Sequence, residues 1–340
     1  IILIYVKIFR EELTMLKIVA DTMGGDNGPS IVVTAIKEFL ETNKDCEIIA
    51  VGNEEELSGL KGVCEIVHAP EVVPMDAGAL EVMRLKNSSM NVAIKTMKEW
   101  HCDAVISCGS TGGFLSAATI NLKLIPGVER AALLAPFPTK IKGKKVCILD
   151  IGASIENSPT ELAQFALIGS MYFKAVFNVE NPNVYLLSNG IEENKGSAAI
   201  KEAHKILKEK NFPGFKGNIE AREALNGEAD VIVTDGYSGN IFLKSTEGTA
   251  KLLGNMMSDM FKKNLWTKLG ALHVLKGIKD IKETMDYKST GGAMLLGING
   301  AVIKAHGSSD AYSFKSALNV AYKLAKQDVV GKINKGLGNE

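Results

Sequence analysis

Short apolar runs recur along the chain, bounded by small and polar residues. Seven stand out: "LKIVA" (16–20), "EIIAV" (47–51), "CEIVH" (64–68), "AVIS" (104–107), "VCILDI" (146–151), "VYLL" (184–187) and "VIVT" (231–234). Runs of this kind, without the polar alternation of a half-exposed strand, are the pattern of parallel strands buried on both faces. Between them lie segments with helical spacing, such as Ala199, Ala203, Ile206 and Leu207 in "SAAIKEAHKILKEK", where residues three and four apart share a helix face. Turns rich in Gly, Asn and Pro separate the segments. The alternation predicts an α/β sandwich with a mainly parallel sheet.

In open sheets of this class ligands bind beyond the carboxyl ends of the strands. The turns at those ends read "DTMGGDNG", "SCGSTGG" (107–113), "DIGASIENSP" (150–159), "SNGIEENKG" (188–196) and "TDGYSGNIFLK" (234–244), each bearing glycine. A single glycine after a strand needs no ligand, because it also makes a tight turn. A set of such turns on one rim has a further use: glycine lets an anion approach backbone amides, and a helix starting there points its positive end at the anion. Phosphate is the natural guest. No GxxxxGK[ST] loop occurs, and no GxGxxG with a following acidic residue succeeds the first strand, so neither ATP nor NAD is indicated.

Residues 246–286 carry a second pattern. Leu253, Met256, Met257, Met260 and Phe261 recur at helical spacing, followed by Leu265, Trp266, Leu269 and Leu272, with six lysines and one aspartate between Lys262 and Lys282. Two helices joined at an apolar, basic tip fit this, a hairpin over about 246–284. Its first helix suits either a dimer contact or an open face. For the tip, contact with an anionic membrane surface is expected, with Leu265, Trp266, Leu269 and Leu272 entering the interface.

Charge narrows the partners. The chain has 340 residues, 46% of them hydrophobic, with 39 basic against 39 acidic. That balance is globular and gives no basic footprint for nucleic acid. Five cysteines (46, 64, 102, 108 and 147) form no CxxC pair and the five histidines are scattered, so they read as reduced thiols with no structural metal and no cofactor. Residues 1–14 begin apolar but are far too short to cross a bilayer, which takes about 20 residues. Their charges follow the apolar stretch, unlike a signal peptide. Residues 1–14 are therefore expected to be an extension ahead of Met15.

The motifs together point to a family. "DTMGGDNGP", "SCGSTGG", "KGKKVCILDIGAS", "NGIEENKG", "DGYSGNIFLK" and "GGAMLLGINGAVIKAHGSSD" (291–310), in this order from about Met15 to about Ile333, resemble the bacterial phosphate acyltransferases of phospholipid synthesis. The resemblance implies a single acyltransferase domain over 15–335, a three-layer α/β/α sandwich similar to the isocitrate and isopropylmalate dehydrogenase-like fold, and a homodimer. It implies transfer of an acyl group from acyl-[acyl-carrier-protein] to inorganic phosphate, in the cytoplasm and peripherally at the inner face of the cell membrane.

The same resemblance assigns residues. Lys195 and Asn240 match positions thought to be catalytic: Lys195 to neutralise phosphate or the tetrahedral intermediate, Asn240 to hold an oxygen. Without it, Lys195 is a solvated lysine ahead of a helix and Asn240 a helix cap. Gly24, Gly25 and Asp26 are expected as one wall of the anion site, and Ser110, Thr111 and Gly112 as the other. Asn189, Ser238 and Gly239, in the turns that carry the two catalytic candidates, are expected to bind substrate as well. Asp26 either orients Lys195 or a loop amide, or caps a turn. Lys123, Arg130, Lys140 and Lys142 are candidates to meet an acidic carrier protein.

Some positions depart from the family pattern. Asn27 and Gly28 stand where a His-Ala pair is usual, Ser110 where Asn is usual, and Ser154, Ile155 and Glu156 where Asn-Val-Asp is usual. A histidine base is thus unavailable at 27. Cys108 invites a covalent thiolase-like route, against which stands a buried thiol after a strand. Two rivals remain: a phosphotransacetylase-like enzyme using acyl-CoA, and a non-catalytic scaffold of lipid synthesis at the membrane surface. A dehydrogenase is disfavoured by the missing aspartate cluster and nicotinamide fingerprint.

Overall fold

The computed structural model describes residues 15–264, 266–267, 270–271, 273–274, 277 and 291–339. The strands in chain order are β1 (Leu16–Asp21), β2 (Cys46–Gly52), β3 (Glu65–His68), β4 (Ala104–Ser107), β5 (Ala132–Pro138), β6 (Lys145–Leu149), β7 (Val184–Ser188), β8 (Phe215–Glu220), β9 (Val231–Val233), β10 (Ala293–Leu296) and β11 (Ala301–Lys304). All seven predicted strands are present. The described residues fall into two compact units: the chain up to Ile125 with Ile298–Gly331, and Pro126–Gly297 with the residues from Lys332 on.

The first unit has the strand order β3-β2-β1-β4-β11, with every pair parallel. Ile18, Val19 and Ala20 of β1 and all of β4 are buried, as strands covered on both faces must be. The chain steps one way from β1 through the helix Pro29–Thr42 to β2, and back from β3 through Ser89–Glu99 to β4. Right-handed crossovers then put the two helices on opposite faces. The helix Pro29–Thr42 packs on Ala311–Lys326, with Phe39 and Tyr322 edge to face at 6.1 Å. Ser89–Glu99 packs on Thr111–Leu122.

The second unit has the order β10-β5-β6-β9-β7-β8. Strands β6, β9, β7 and β8 are parallel, while β5 is antiparallel to both neighbours, β10 and β6. The helices Pro159–Phe177 and Ala198–Glu209 share one face: Gly169 is so close to Leu149 and Val231 that a Cβ would meet their methyls at 3.0–3.3 Å. Phe137 pairs with Val146, whose side chain points away from that face, and stacks edge to face on Phe242 at 5.8 Å. The helix Gly236–Lys262 therefore covers the other face. Each unit is a three-layer α/β/α sandwich around a mainly parallel sheet.

Two expectations change in detail. Four strands were not foreseen: β5 contains Pro136 and Pro138, β8 contains Gly217 with φ +100 beside a register shift, and β10 and β11 are four residues each, flanked by glycines. The helix expected from about 246 begins at Gly236, because Asp235 caps it: its carboxylate accepts from the Ser238 amide at 2.8 Å. The predicted second helix of the hairpin lies largely outside the described residues, as do residues 1–14.

Candidate active site

In the first unit the glycines of the turn after β1 pack closely on the turn after β4. Gly24 is buried against the next turn, where a Cβ would come 2.7 Å from the Gly109 Cα, and a Cβ on Gly25 would come 2.7 Å from the Cys108 sulfur. Only glycine fits such approaches. The Asp26 amide donates to the Gly307 carbonyl at 2.9 Å, so it is not offered to a ligand. The amides of Gly24 and Gly25 have no hydrogen-bond partner among the described residues. Asn27, where the family pattern has histidine, donates from Nδ2 to the carbonyls of Ser308 and Ser309 at 3.3 and 2.9 Å. It clamps the loop after β11, a structural task that imidazole would not do in the same way.

After β4, Ser110 is buried and caps the helix Thr111–Leu122, its Oγ accepting from the Gly113 amide at 3.2 Å. Its hydroxyl oxygen is thus engaged as a cap. What faces outward is half-buried Thr111 and exposed Gly112, whose amides are open at the positive end of the helix among the described residues. Cys108 is 1% exposed, and burial, assisted by the nearby Asp21 charge, pushes its thiol up to about 12. A thiolate nucleophile is not available there at neutral pH.

In the second unit β6, β7 and β9 run parallel, so their turns leave one edge. Asp150, following β6, is fully buried and takes five hydrogen bonds. Oδ1 accepts from the amides of Leu133, Gly152 and Ala153 at 3.0, 3.0 and 2.8 Å; Oδ2 accepts from the Ser154 amide at 2.9 Å and its Oγ at 2.6 Å. This carboxylate, which the sequence reading missed, shapes the turn. Its backbone is pressed against the next helix: a Cβ on Gly239 would lie 1.9 Å from the Asp150 carbonyl oxygen, and one on Gly236 2.0 Å from that of Ser154. Ser238 donates from Oγ to the Asp235 cap at 3.0 Å. Asn240 lies in the first turns of this helix, exposed, with its Oδ1 3.6 Å from where a Cβ on Gly152 would stand.

The turn after β7 presents Lys195. Asn189 Oδ1 accepts from the Gly196 amide at 2.8 Å and the Lys195 amide donates to the Glu192 carbonyl at 3.0 Å, closing the loop on both sides. The lysine stem lies over Gly190, where a Cβ would meet its Cγ at 2.8 Å. The side chain itself is exposed. The basic candidates for a carrier surface, Lys123, Arg130, Lys140 and Lys142, are all exposed, and Arg130 pairs with Glu161 at 2.7 Å.

A family model described as fatty acid synthesis protein matches residues 16–332. The phosphate acyltransferase of Alkaliphilus oremlandii is 41% identical over 332 residues, which span 95% of this chain and 98% of that protein. The chain belongs to the phosphate acyltransferase family. Solved structures share the fold of this family member. A phosphotransacetylase from Streptococcus pyogenes aligns with TM-score 0.59 at 18% identity, covering 100% of this chain and 99% of that one. A 4-hydroxythreonine-4-phosphate dehydrogenase from Klebsiella pneumoniae aligns with TM-score 0.55 at 11% identity, covering 92% and 100%. At such identities the likeness is one of fold, the sandwich expected from the sequence. In the phosphate acyltransferase chain Trp266 is 81% exposed; Leu265, Leu269 and Leu272 lie outside the described residues.

Proposed function

We propose that this chain transfers a fatty acyl group from the thioester of acyl-[acyl-carrier-protein] to inorganic phosphate, releasing free carrier protein and acyl phosphate for phospholipid synthesis. The observation that carries the reading is 41% identity to a phosphate acyltransferase across 95% of the chain. Membership of the fatty acid synthesis family supports a fatty acyl donor. Residues 15–335 serve as one acyltransferase domain.

Phosphate is anionic at neutral pH and attacks the carbonyl carbon directly. A C–O bond to phosphate forms, the carbonyl oxygen takes up negative charge, and the C–S bond then breaks as the thiolate leaves and later takes a proton. No side-chain nucleophile, histidine base or cofactor is required. The protein supplies position and donors to the developing charge. Gly24 and Gly25, with Thr111 and Gly112 at a helix start capped by Ser110, hold phosphate through backbone amides. Lys195 neutralises phosphate or the intermediate, and Asn240 Nδ2 donates to the oxyanion. Asn189, Ser238 and Gly239 shape the turns behind these two, and Asp26 sits at the edge of the anion site as a turn-shaping group.

Purified protein incubated with phosphate and either acyl-carrier-protein or acyl-CoA, with thiol release followed, tests the donor. Preference for the carrier thioester is expected. Preference for CoA would move the chain to a phosphotransacetylase-like activity, and no thiol release from either would leave only the scaffold.

Leu252, Leu253, Met256 and Met260 are exposed along the helix Gly236–Lys262 and Trp266 follows it. No helix among the described residues is long and apolar enough to cross a membrane. The exposed apolar side chains support a homodimer contact along the helix and peripheral attachment of the tip to anionic lipid on the cytoplasmic face. Trp266→Glu should shift the protein from anionic vesicles to the supernatant in a co-sedimentation assay while acyl transfer in solution stays at the parent rate. Vesicle binding equal to the parent's would remove Trp266 from the contact.

A further inference from the structure

A buried polar bridge lies beneath the glycine turns of the first unit. Asp21 ends β1, Ser107 ends the neighbouring β4, and both are 0% exposed. Ser107 Oγ donates to Asp21 Oδ2 at 2.6 Å. The Met23 amide donates to Asp21 Oδ1 at 3.3 Å, and the Gly109 amide to Ser107 Oγ at 3.0 Å. One continuous chain of hydrogen bonds thus links the turn after β1 to the turn after β4. Directly above it the two backbones touch at Gly24 and Gly109. Lys304, buried at the end of β11, places positive charge near Asp21 and donates from Nζ to the Ala305 carbonyl.

The fold alone does not ask for these groups. The three residues before Asp21 on β1, Ile18, Val19 and Ala20, are apolar and buried, and a carboxylate at this depth costs stability that an apolar residue would not. Burial pushes the Asp21 carboxyl above its ordinary range, against the pull of the Ser107 hydrogen bond and the Lys304 charge. What the bridge supplies is geometry. It fixes the separation of two turns whose amides at Gly24, Gly25, Thr111 and Gly112 are open among the described residues.

We propose that Asp21 and Ser107 are positioning residues for phosphate: their bridge holds the Gly24–Gly25 amides and the start of the helix Thr111–Leu122 at the spacing that lets both sets bind one phosphate group. The inference rests on the proposed reaction and deepens it. Neither side chain reaches the ligand, since both lie under the turns.

The test is steady-state kinetics of Ser107→Ala and Asp21→Asn with phosphate and acyl thioester varied separately, alongside thermal unfolding with and without phosphate. Loss of one buried hydrogen bond under the site should raise KM for phosphate about tenfold. kcat and KM for the thioester should stay within about twofold of the parent. The rise in melting temperature given by phosphate should shrink in step. A purely structural bridge would instead lower the melting temperature and the active fraction with KM for phosphate unchanged, and that result overturns the proposal. If Ser107→Ala fails to fold, Asp21→Asn, which keeps the side-chain shape, carries the same comparison. A parent protein that makes no acyl phosphate refutes the reaction instead; phosphate protection present in the parent and reduced in the variants would still support the bridge.

Discussion

Lys195→Ala and Asn240→Ala are each expected to fold like the parent and to lose turnover by about 10²- to 10³-fold, the loss typical of removing one donor to a developing oxyanion. The structure separates folding from chemistry at both positions. Lys195 is held through its backbone, by the Glu192 carbonyl and by the neighbouring Gly196 amide on Asn189, and its side chain is exposed. Removing the ammonium therefore breaks no interaction that shapes the loop, and its effect on stability should stay within about 0.5 kcal/mol. Asn240 is likewise exposed, and its helix is capped by Asp235 rather than by its own amide. Lys195→Arg keeps the charge and should recover part of the rate, whereas Lys195→Met should behave as alanine does. Matched melting curves with a rate near the parent's in both alanine variants would remove these two residues from the mechanism.

The sequence announced the strands buried on both faces because their signal is local: an apolar run such as "AVIS" or "VIVT" has no other comfortable fate beside Gly-rich turns. It did not announce β5, where two prolines argue against a strand and the antiparallel pairing with β6 and β10 is decided by distant partners. The turns were legible as anion-binding candidates, but not the use of each group within them. Ser110 reads as a hydroxyl for a ligand until its Oγ is seen to accept from Gly113. Asn240 reads as a helix cap until Asp235 is seen to start the helix before it. Least legible were the buried carboxylates. Asp21 and Asp150 each end or follow an apolar run, in "LKIVAD" and "VCILD", and a charged residue in such a place was the available sign of a built network. Which amides they gather depends on turns that the chain closes only on folding.

Asp150→Asn tests the larger of those networks, and it should destabilise the protein by about 3 kcal/mol. Oδ1 can keep the amides of Leu133, Gly152 and Ala153 in the variant, but the new Nδ2 then faces the Ser154 amide, donor against donor. The Ser154 hydroxyl can turn to accept, while the half-buried Ser154 N–H is left without an acceptor and the charge that strengthened the other bonds is gone. Asp150→Ala removes every acceptor at once and should cost about 5 kcal/mol. The consequence extends to chemistry, because Gly152 lies against the Asn240 side chain and the Asp150 carbonyl leaves no room at Gly239 for anything but hydrogen. A turn that drifts by a fraction of an ångström displaces the donor that Asn240 presents, so turnover should fall even in the folded fraction of Asp150→Asn. Urea midpoints for the three proteins, with kcat normalised to folded protein, separate the two effects. A midpoint for Asp150→Asn equal to the parent's would mean that the five hydrogen bonds are dispensable, and the turn after β6 would then need another support.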